Sequence, residues 1–387
     1  MQFENSTTNS KGGPSPLKGI KVIELGQVLS APFAGSIFAD LGAEVIKIER
    51  TISGDDARTM GPAFRGGDAL NFHIFNRNKK SISLDLKDPE KLKKLDRLIA
   101  KADILIHNLR PGVTKDLGLD GETLTSKHPR LIYCEISAFG HKGPMQMRPG
   151  YEPLIQAYSG LSSTNGGPGD PPIRIGASVC DQGSGMWVVI GALSMLTQRA
   201  SSGKGGIVNT SLLETALAWN GQKNDAYLNL KQMPVKHASG HPSFVPYEAF
   251  ETLDGPVLIC CGNDRLFQKL SNLMDKAHWC EDPRFMTNRS RITHKDALYE
   301  ELLPLLKRKS RSQWLKDFDE AGIPCSPILG IEEVVQQEQV LALEMFQEVP
   351  QEDFTLTALP LSFNGLRPKI LSTAPKLGAH NGLLEEM

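Results

Sequence analysis

The chain has 387 residues, longer than one ordinary core, which points to two domains or one large α/β domain with an insertion. Its 43 basic and 44 acidic side chains leave a formal charge of −1, which argues against a global nucleic-acid or polyanion binder and requires any anionic ligand to be held by local cations. The six cysteines, Cys134, Cys180, Cys260, Cys261, Cys280 and Cys325, lack C-x-x-C spacing and are expected as reduced thiols of a cytoplasmic protein.

Residues 1–16 are polar and rich in Gly, Ser and Asn, with neither an apolar signal core nor transit-peptide arginines, and are expected as a loose tail. No run approaches the roughly 18 apolar residues of a membrane span, so a soluble protein is expected. From Leu17 onward, β-branched runs alternate with helical patterns, the signal of β-α-β units around a largely parallel sheet. GIKVIEL (19–25) reads as a strand, APFAGSIFADLGA (31–43) as a helix and EVIKIE (44–49) as the next strand. SISLDL (81–86) is a strand, followed by a helix opened by Asp88 and Pro89 at N-cap and N1. ADILIHNL (102–109) and RLIYCEIS (130–137) are two more strands, with a short helix after Asp120 between them.

Between about 151 and 220 the pattern turns helical, in EPLIQAYSGL and GMWVVIGALSMLTQR, before GGIVNTSLLETALAW passes from strand to helix. The Lys, Pro, His, Ser and Gly of 225–245 mark a crossing between domains. YEAFETLDGPVLICCG (247–262) reads as a hairpin, helices follow near 264–274, 295–308 and 311–321, and IPCSPIL is extended. In the last segment, 331–387, pieces such as FTLTALPLSF are expected to rejoin the first sheet.

Candidate chemistry centres on RIGASVCDQGSGMW (174–187), where Asp181 precedes a glycine-serine turn and an apolar helix. By spacing alone Asp181 reads first as an N-cap, and second as a nucleophile beside small residues and free helix-start N–H groups. The first β-α turn, LGQVLSAPFAG, lacks G-x-G-x-x-G, so a dinucleotide enzyme is not indicated. Basic residues gather instead near strand ends: Arg50, Arg77, Lys79, Lys80, Arg110, Lys142 and Arg148. As a group they suit a ligand with several phosphates. His73, His107 and His141 have no metal-ligand spacing, and His241 reads as turn chemistry.

Nine ordered blocks, among them LKGIKVIELGQVLSAPFAGSIFADLGAEVIKIER, NRNKKSISLDLKDP, NLRPG, PRLIYCEISAFGHKGP, PGYEPLIQAYSGL and CDQGSG, resemble the family III (CaiB/BaiF-type) CoA-transferases from residue 17 to beyond 345. The resemblance implies an α/β fold: a large Rossmann-like CoA-binding domain with a parallel sheet (17–224), a smaller α+β domain (225–330), and a C-terminal segment (331–387) returning to the large one. It also implies an interlocked homodimer, acyl-CoA and a free carboxylic acid as partners, coenzyme A as substrate and product, no permanently bound cofactor, and neither nucleic acid nor membrane.

The same resemblance makes Asp181 the catalytic nucleophile. It places Gln27, Ser30, Arg50, Asn108 and Lys142 against CoA and Tyr151 near the acyl group. A tyrosine at 151, where racemases of the superfamily carry a histidine, argues against α-proton exchange. Glu152 reads equally as a second acid or as a buried partner of nearby backbone. CCGNDR (260–265), where formyl-CoA:oxalate transferases carry four glycines, favours acetyl- or succinyl-CoA-dependent transfer to a dicarboxylate. A CoA-ester hydratase or isomerase of the carnitine-metabolising branch and a non-catalytic CoA-binding protein remain alternatives.

Overall fold

The computed structural model describes residues 8–9 and 13–385. Residues 1–7 and 10–12 of the expected tail lie outside them; its described part includes a short antiparallel pairing of Thr8–Asn9 with Gly13–Pro14. Contacts divide the chain into two units. The first holds the described residues up to Leu161, Arg174–Asp225 and those from Gln339 onward; the second holds Ser162–Ile173 and Ala226–Glu338.

The first unit is built on β1 (Lys21–Leu25), α1 (Ser30–Asp40), β2 (Glu44–Glu49), α2 (Leu70–Asn76), β3 (Lys80–Ser83), α3 (Pro89–Ile99), β4 (Ile104–His107), β5 (Ile132–Ser137), α4 (Glu152–Tyr158), α5 (Val179–Ser202), β6 (Gly206–Ser211) and α6 (Leu212–Trp219). All six strands are parallel, in the order β6-β5-β4-β1-β2-β3. The chain therefore builds outward from β1 in one direction and then crosses back to β4, leaving a topological switch point between these two strands. Leu25 of β1 pairs with His107 of β4, so the two strands end level at that crevice.

Neighbouring residues along each strand go to opposite faces, and both faces are covered. Val22, Ile104, Ile106, Ile132 and Cys134 pack with Ala34 and Phe38 of α1 and Val188 and Ala192 of α5. Ile23, Ile46, Ile82, Leu105 and Tyr133 pack with Leu95 and Leu98 of α3 on the other side. Asp88 caps α3 as expected, its Oδ1 accepting the Glu90 N–H at 2.8 Å, with Pro89 in the first turn.

Two expectations are corrected. Helix α5 is long and apolar enough, by length and composition, to cross a membrane, although no such run was expected; Cys180, Val188, Val189 and Ala192 on it are buried in the first core. The stretch FTLTALPLSF does not join the main sheet: Thr355–Thr357 pairs with Phe346–Glu348 in a separate two-stranded ribbon. On the edge strand β3, the Ser81 N–H is taken by His380 Nδ1 (3.2 Å) and the Ser83 N–H by Asn381 Oδ1 (2.8 Å). The His380 N–H also donates to Ser81 O at 2.9 Å, so these C-terminal residues cover that edge in place of a strand.

The second unit carries the expected hairpin, β7 (Tyr247–Glu251) and β8 (Pro256–Cys260), extended antiparallel by β9 (Cys325–Pro327). Helices Asp264–Leu273, Lys295–Leu306 and Arg311–Ala321 enclose a core that includes Val257, Ile259, Phe267, Trp279, Leu302, Trp314 and Phe318.

Candidate active site

The turn that leaves β1 lies at the switch point, and its backbone is held by side chains from elsewhere in the unit. Asn108, directly after β4, accepts the Gln27 N–H on Oδ1 (2.8 Å) and donates from Nδ2 to Gln27 O (2.8 Å) and Ser30 Oγ (3.0 Å). Both amide protons of Asn108 are thus spent on the turn. Gly26 is required at its start, because a Cβ there would stand 2.7 Å from Ala31 Cβ. Val28 has φ of 64°, a left-handed conformation that is unfavourable for a β-branched residue by about 1–3 kcal/mol and clusters at functional sites. Three of the residues assigned to CoA, Gln27, Ser30 and Asn108, are therefore brought together.

Beneath this turn lies a network of which the sequence had singled out only Lys79. Lys47 pairs with Glu24 across the β1–β2 register, Nζ to Oε1 at 2.8 Å, and donates to Gly26 O at 2.8 Å. Lys79 donates to the other Glu24 oxygen at 2.7 Å and to Pro32 O at 2.8 Å. Burial draws the Lys79 ammonium down to about 8 against the pull of Glu24. A signal was present in the sequence: a Glu inside KVIEL and a Lys inside EVIKIE, in strands covered on both faces, require partners.

The basic group of the sequence reading divides. Arg77 is buried against Asp40 (2.6 Å) and Lys79 against Glu24, while Lys80, which opens β3, is paired with Glu44. Their charges are consumed by the fold, which corrects their placement on a ligand rim. Arg50, after β2, is half-exposed, with Nε on Gly54 O (3.0 Å) and its guanidinium paired with Asp56. Arg110 and Lys142 are exposed, and Arg148 lies over the Phe139 ring.

Asp181 is the third residue of α5, and the N-cap is Ser178, so the N-cap reading is corrected. The glycine-serine segment is not a turn but helix interior. Its glycines admit neighbouring elements: a Cβ on Gly183 would stand 2.6 Å from Thr215 Cγ2, and one on Gly185 would stand 2.8 Å from Ser30 O. Residues four apart share a helix face. Asp181 therefore lies on the face of α5 that Gly185 presses against Ser30, the residue held by Asn108. The expected free donors at the helix start are mostly engaged, with Val179, Cys180 and Gln182 N–H groups on Ala177 O, Glu152 Oε1 and Ser178 O.

Glu152, at the start of α4, is buried; Oε1 accepts from Gln156 Nε2 at 2.6 Å, and Oε2 has no hydrogen-bond partner. Burial, together with the negative charge of Glu152, pushes the Asp181 carboxyl up to about 7. The adjacent Cys180 thiol is driven up to about 12 by burial and by these two acids, which leaves it inert. Tyr151 is the N-cap residue of α4, with no side-chain cap bond, and is 64% exposed.

The model of the CoA-transferase family III matches residues 17–381. The chain belongs to that family. It is 35% identical to the acetyl-CoA:oxalate CoA-transferase of Acetobacter aceti, covering 99% of this chain and 97% of that protein. It is also 35% identical to the succinate–glutarate CoA-transferase of Agrobacterium fabrum, with 94% of each chain covered. A CaiB/BaiF family protein from Brucella suis has the same fold, with a TM-score of 0.87 and 35% identity over 96% of this chain and 99% of that one. The geometry sets a half-buried carboxylate on the helix face that packs against Ser30 of the turn at the switch point.

Proposed function

We propose that this chain transfers CoA from an acyl-CoA donor to a free dicarboxylic acid through covalent intermediates on Asp181. The observation that carries the reading is Asp181 itself, half-buried, raised in basicity by burial and Glu152, and set on the helix face turned toward Ser30. A more basic carboxylate is a stronger nucleophile wherever it remains ionised.

A carboxylate oxygen of Asp181 attacks the thioester carbonyl, the C–S bond breaks, and CoA departs as thiolate, leaving a mixed anhydride. The thiolate attacks the aspartyl carbonyl, expels the donor acid as carboxylate and forms an enzyme-CoA thioester. The acceptor carboxylate attacks that thioester, again releasing thiolate, which takes the acceptor acyl group from the second anhydride and restores the Asp181 carboxylate. No proton enters the balance, and activation is conserved only while water is excluded.

In this reading the Gln27–Ser30 turn, Arg50 and Lys142 receive CoA. Asn108 acts by shaping the turn, since its amide protons are already engaged. The phenol of Tyr151 orients the substrate carboxylate. Dicarboxylate acceptors are favoured by the relatives' names, which specify oxalate and glutarate. The exposed apolar side chains Met186, Trp187, Ile190, Leu217 and Trp219 on α5 and α6 support a homodimer, and six cysteines, all free thiols, support a cytoplasmic setting.

The test is exchange. Acetyl-CoA or succinyl-CoA is incubated with oxalate, glutarate or succinate and the CoA esters are resolved by chromatography. For at least one pair of differing acids, a new ester is expected to appear mole for mole with loss of the donor. Release of free CoA without a new ester contradicts the proposal.

A further inference from the structure

The network under the first turn reaches Val28 through one more residue. Asp55, fully buried in the loop after β2, accepts the Val28 N–H on Oδ1 at 2.9 Å and the Ala57 N–H on the same oxygen at 2.9 Å. Its Oδ2 lies 2.8 Å from Lys47 Nζ, an ion pair off the ideal hydrogen-bond direction, with both side chains wholly inaccessible. Lys47 in turn holds Gly26 O. Three successive residues of the turn are thus tied: Gly26 by Lys47, Gln27 by Asn108 and Val28 by Asp55.

Two buried cations, Lys47 and Lys79, balance two buried carboxylates, Glu24 and Asp55, so the group is neutral as a set and each member depends on the others. Burial alone disfavours the charge on Asp55, but Lys47 and the Val28 and Ala57 N–H groups outweigh it and hold the carboxyl below its usual range. The four side chains of the network are buried, and what they touch is the backbone of the turn that carries Gln27.

We propose that Asp55, held by Lys47, is a positioning residue for the CoA site: it fixes Val28 in the left-handed conformation that gives the Gln27–Ser30 turn its binding shape. The inference rests on the reading above that this turn receives CoA. A β-branched residue rarely adopts φ near 64° unless its surroundings impose it, and among the described residues the side chain bonded to the Val28 N–H is that of Asp55. Glycine adopts that φ freely, which separates positioning from general support.

The experiment measures CoA binding by calorimetry, and KM and kcat for the acyl-CoA donor, on the full chain with Asp55→Ala, Val28→Gly and the double substitution. Asp55→Ala is expected to weaken CoA binding and raise donor KM by about tenfold or more, with kcat at saturation changed less than about threefold. Val28→Gly in that background is expected to recover most of the lost affinity. Unchanged CoA affinity in Asp55→Ala, or no recovery in the double variant, overturns the proposal. If wild-type protein binds no CoA, the reading of the turn itself fails instead. Should Asp55→Ala not fold, Val28→Pro is decisive: proline fixes φ near −65° and lacks the N–H that Asp55 accepts. Loss of CoA binding with an unchanged circular dichroism spectrum supports the proposal, and undiminished binding overturns it.

Discussion

At the residue scale the proposed chemistry rests on Asp181 and its buried neighbour Glu152. Because the Asp181 carboxyl is raised to about 7, by burial first and Glu152 second, the fraction of ionised nucleophile grows as pH rises through that value. The donor kcat/KM is therefore expected to increase between about pH 6 and 8 and to level above it. Removing the Glu152 charge lowers the Asp181 pKa, so Glu152→Gln is expected to move the midpoint of a stopped-flow or steady-state pH profile to lower pH; an unmoved midpoint shows that the two acids do not interact. Asp181 was legible as a cap or a nucleophile from its neighbours, and only the family resemblance chose between them. Glu24 and Lys47 were overlooked because a charged residue in a buried strand reveals its partner only when the register is known, and Asp55 because it reaches Val28 from a loop 27 residues away. Arg77 and Lys79 were misplaced for the converse reason: a sequence shows a charge, not the carboxylate that consumes it.

At the scale of elements, α5 connects Asp181, the proposed nucleophile, to the turn. An alanine at Gly185 gains up to about 1 kcal/mol of helix propensity but presses a methyl group against the Ser30 carbonyl, an overpacking that costs about 1–3 kcal/mol. Gly185→Ala is expected to lower stability in urea by about 1–2 kcal/mol and to weaken CoA binding as well, since the displaced group belongs to the turn. The strands of the main sheet and the N-cap of α3 were readable because continuous β-branched runs, buried on both faces, and Asp-Pro leave local marks. Gly183 and Gly185 read as a turn because glycine is a poor helix former; here close packing against α1 and α6 overrides propensity. The helix over Gly221–Leu230 was missed because none of its residues is buried, so it carries no apolar stripe.

For the molecule as a whole, the parallel sheet has its switch point between β1 and β4, where the proposed reading puts CoA, and apolar side chains are left exposed on α5 and α6, where it puts a second copy of the chain. Light scattering at micromolar concentration is expected to give twice the chain mass, and a monomer mass contradicts the homodimer. The α/β class and the parallel sheet followed from alternating strand and helix patterns. The route of the C-terminal segment did not, because FTLTALPLSF has strand character whichever partner it finds, and the main sheet's edge was already covered by His380 and Asn381. The central claim remains covalent transfer through Asp181, and intact-protein mass spectrometry tests it most directly. Wild type and Asp181→Asn are mixed separately with acetyl-CoA, succinyl-CoA and oxalyl-CoA. At least one donor is expected to add a CoA mass to the native chain and none to the variant; a native chain that binds CoA esters yet is never labelled, or a variant labelled equally, contradicts the account.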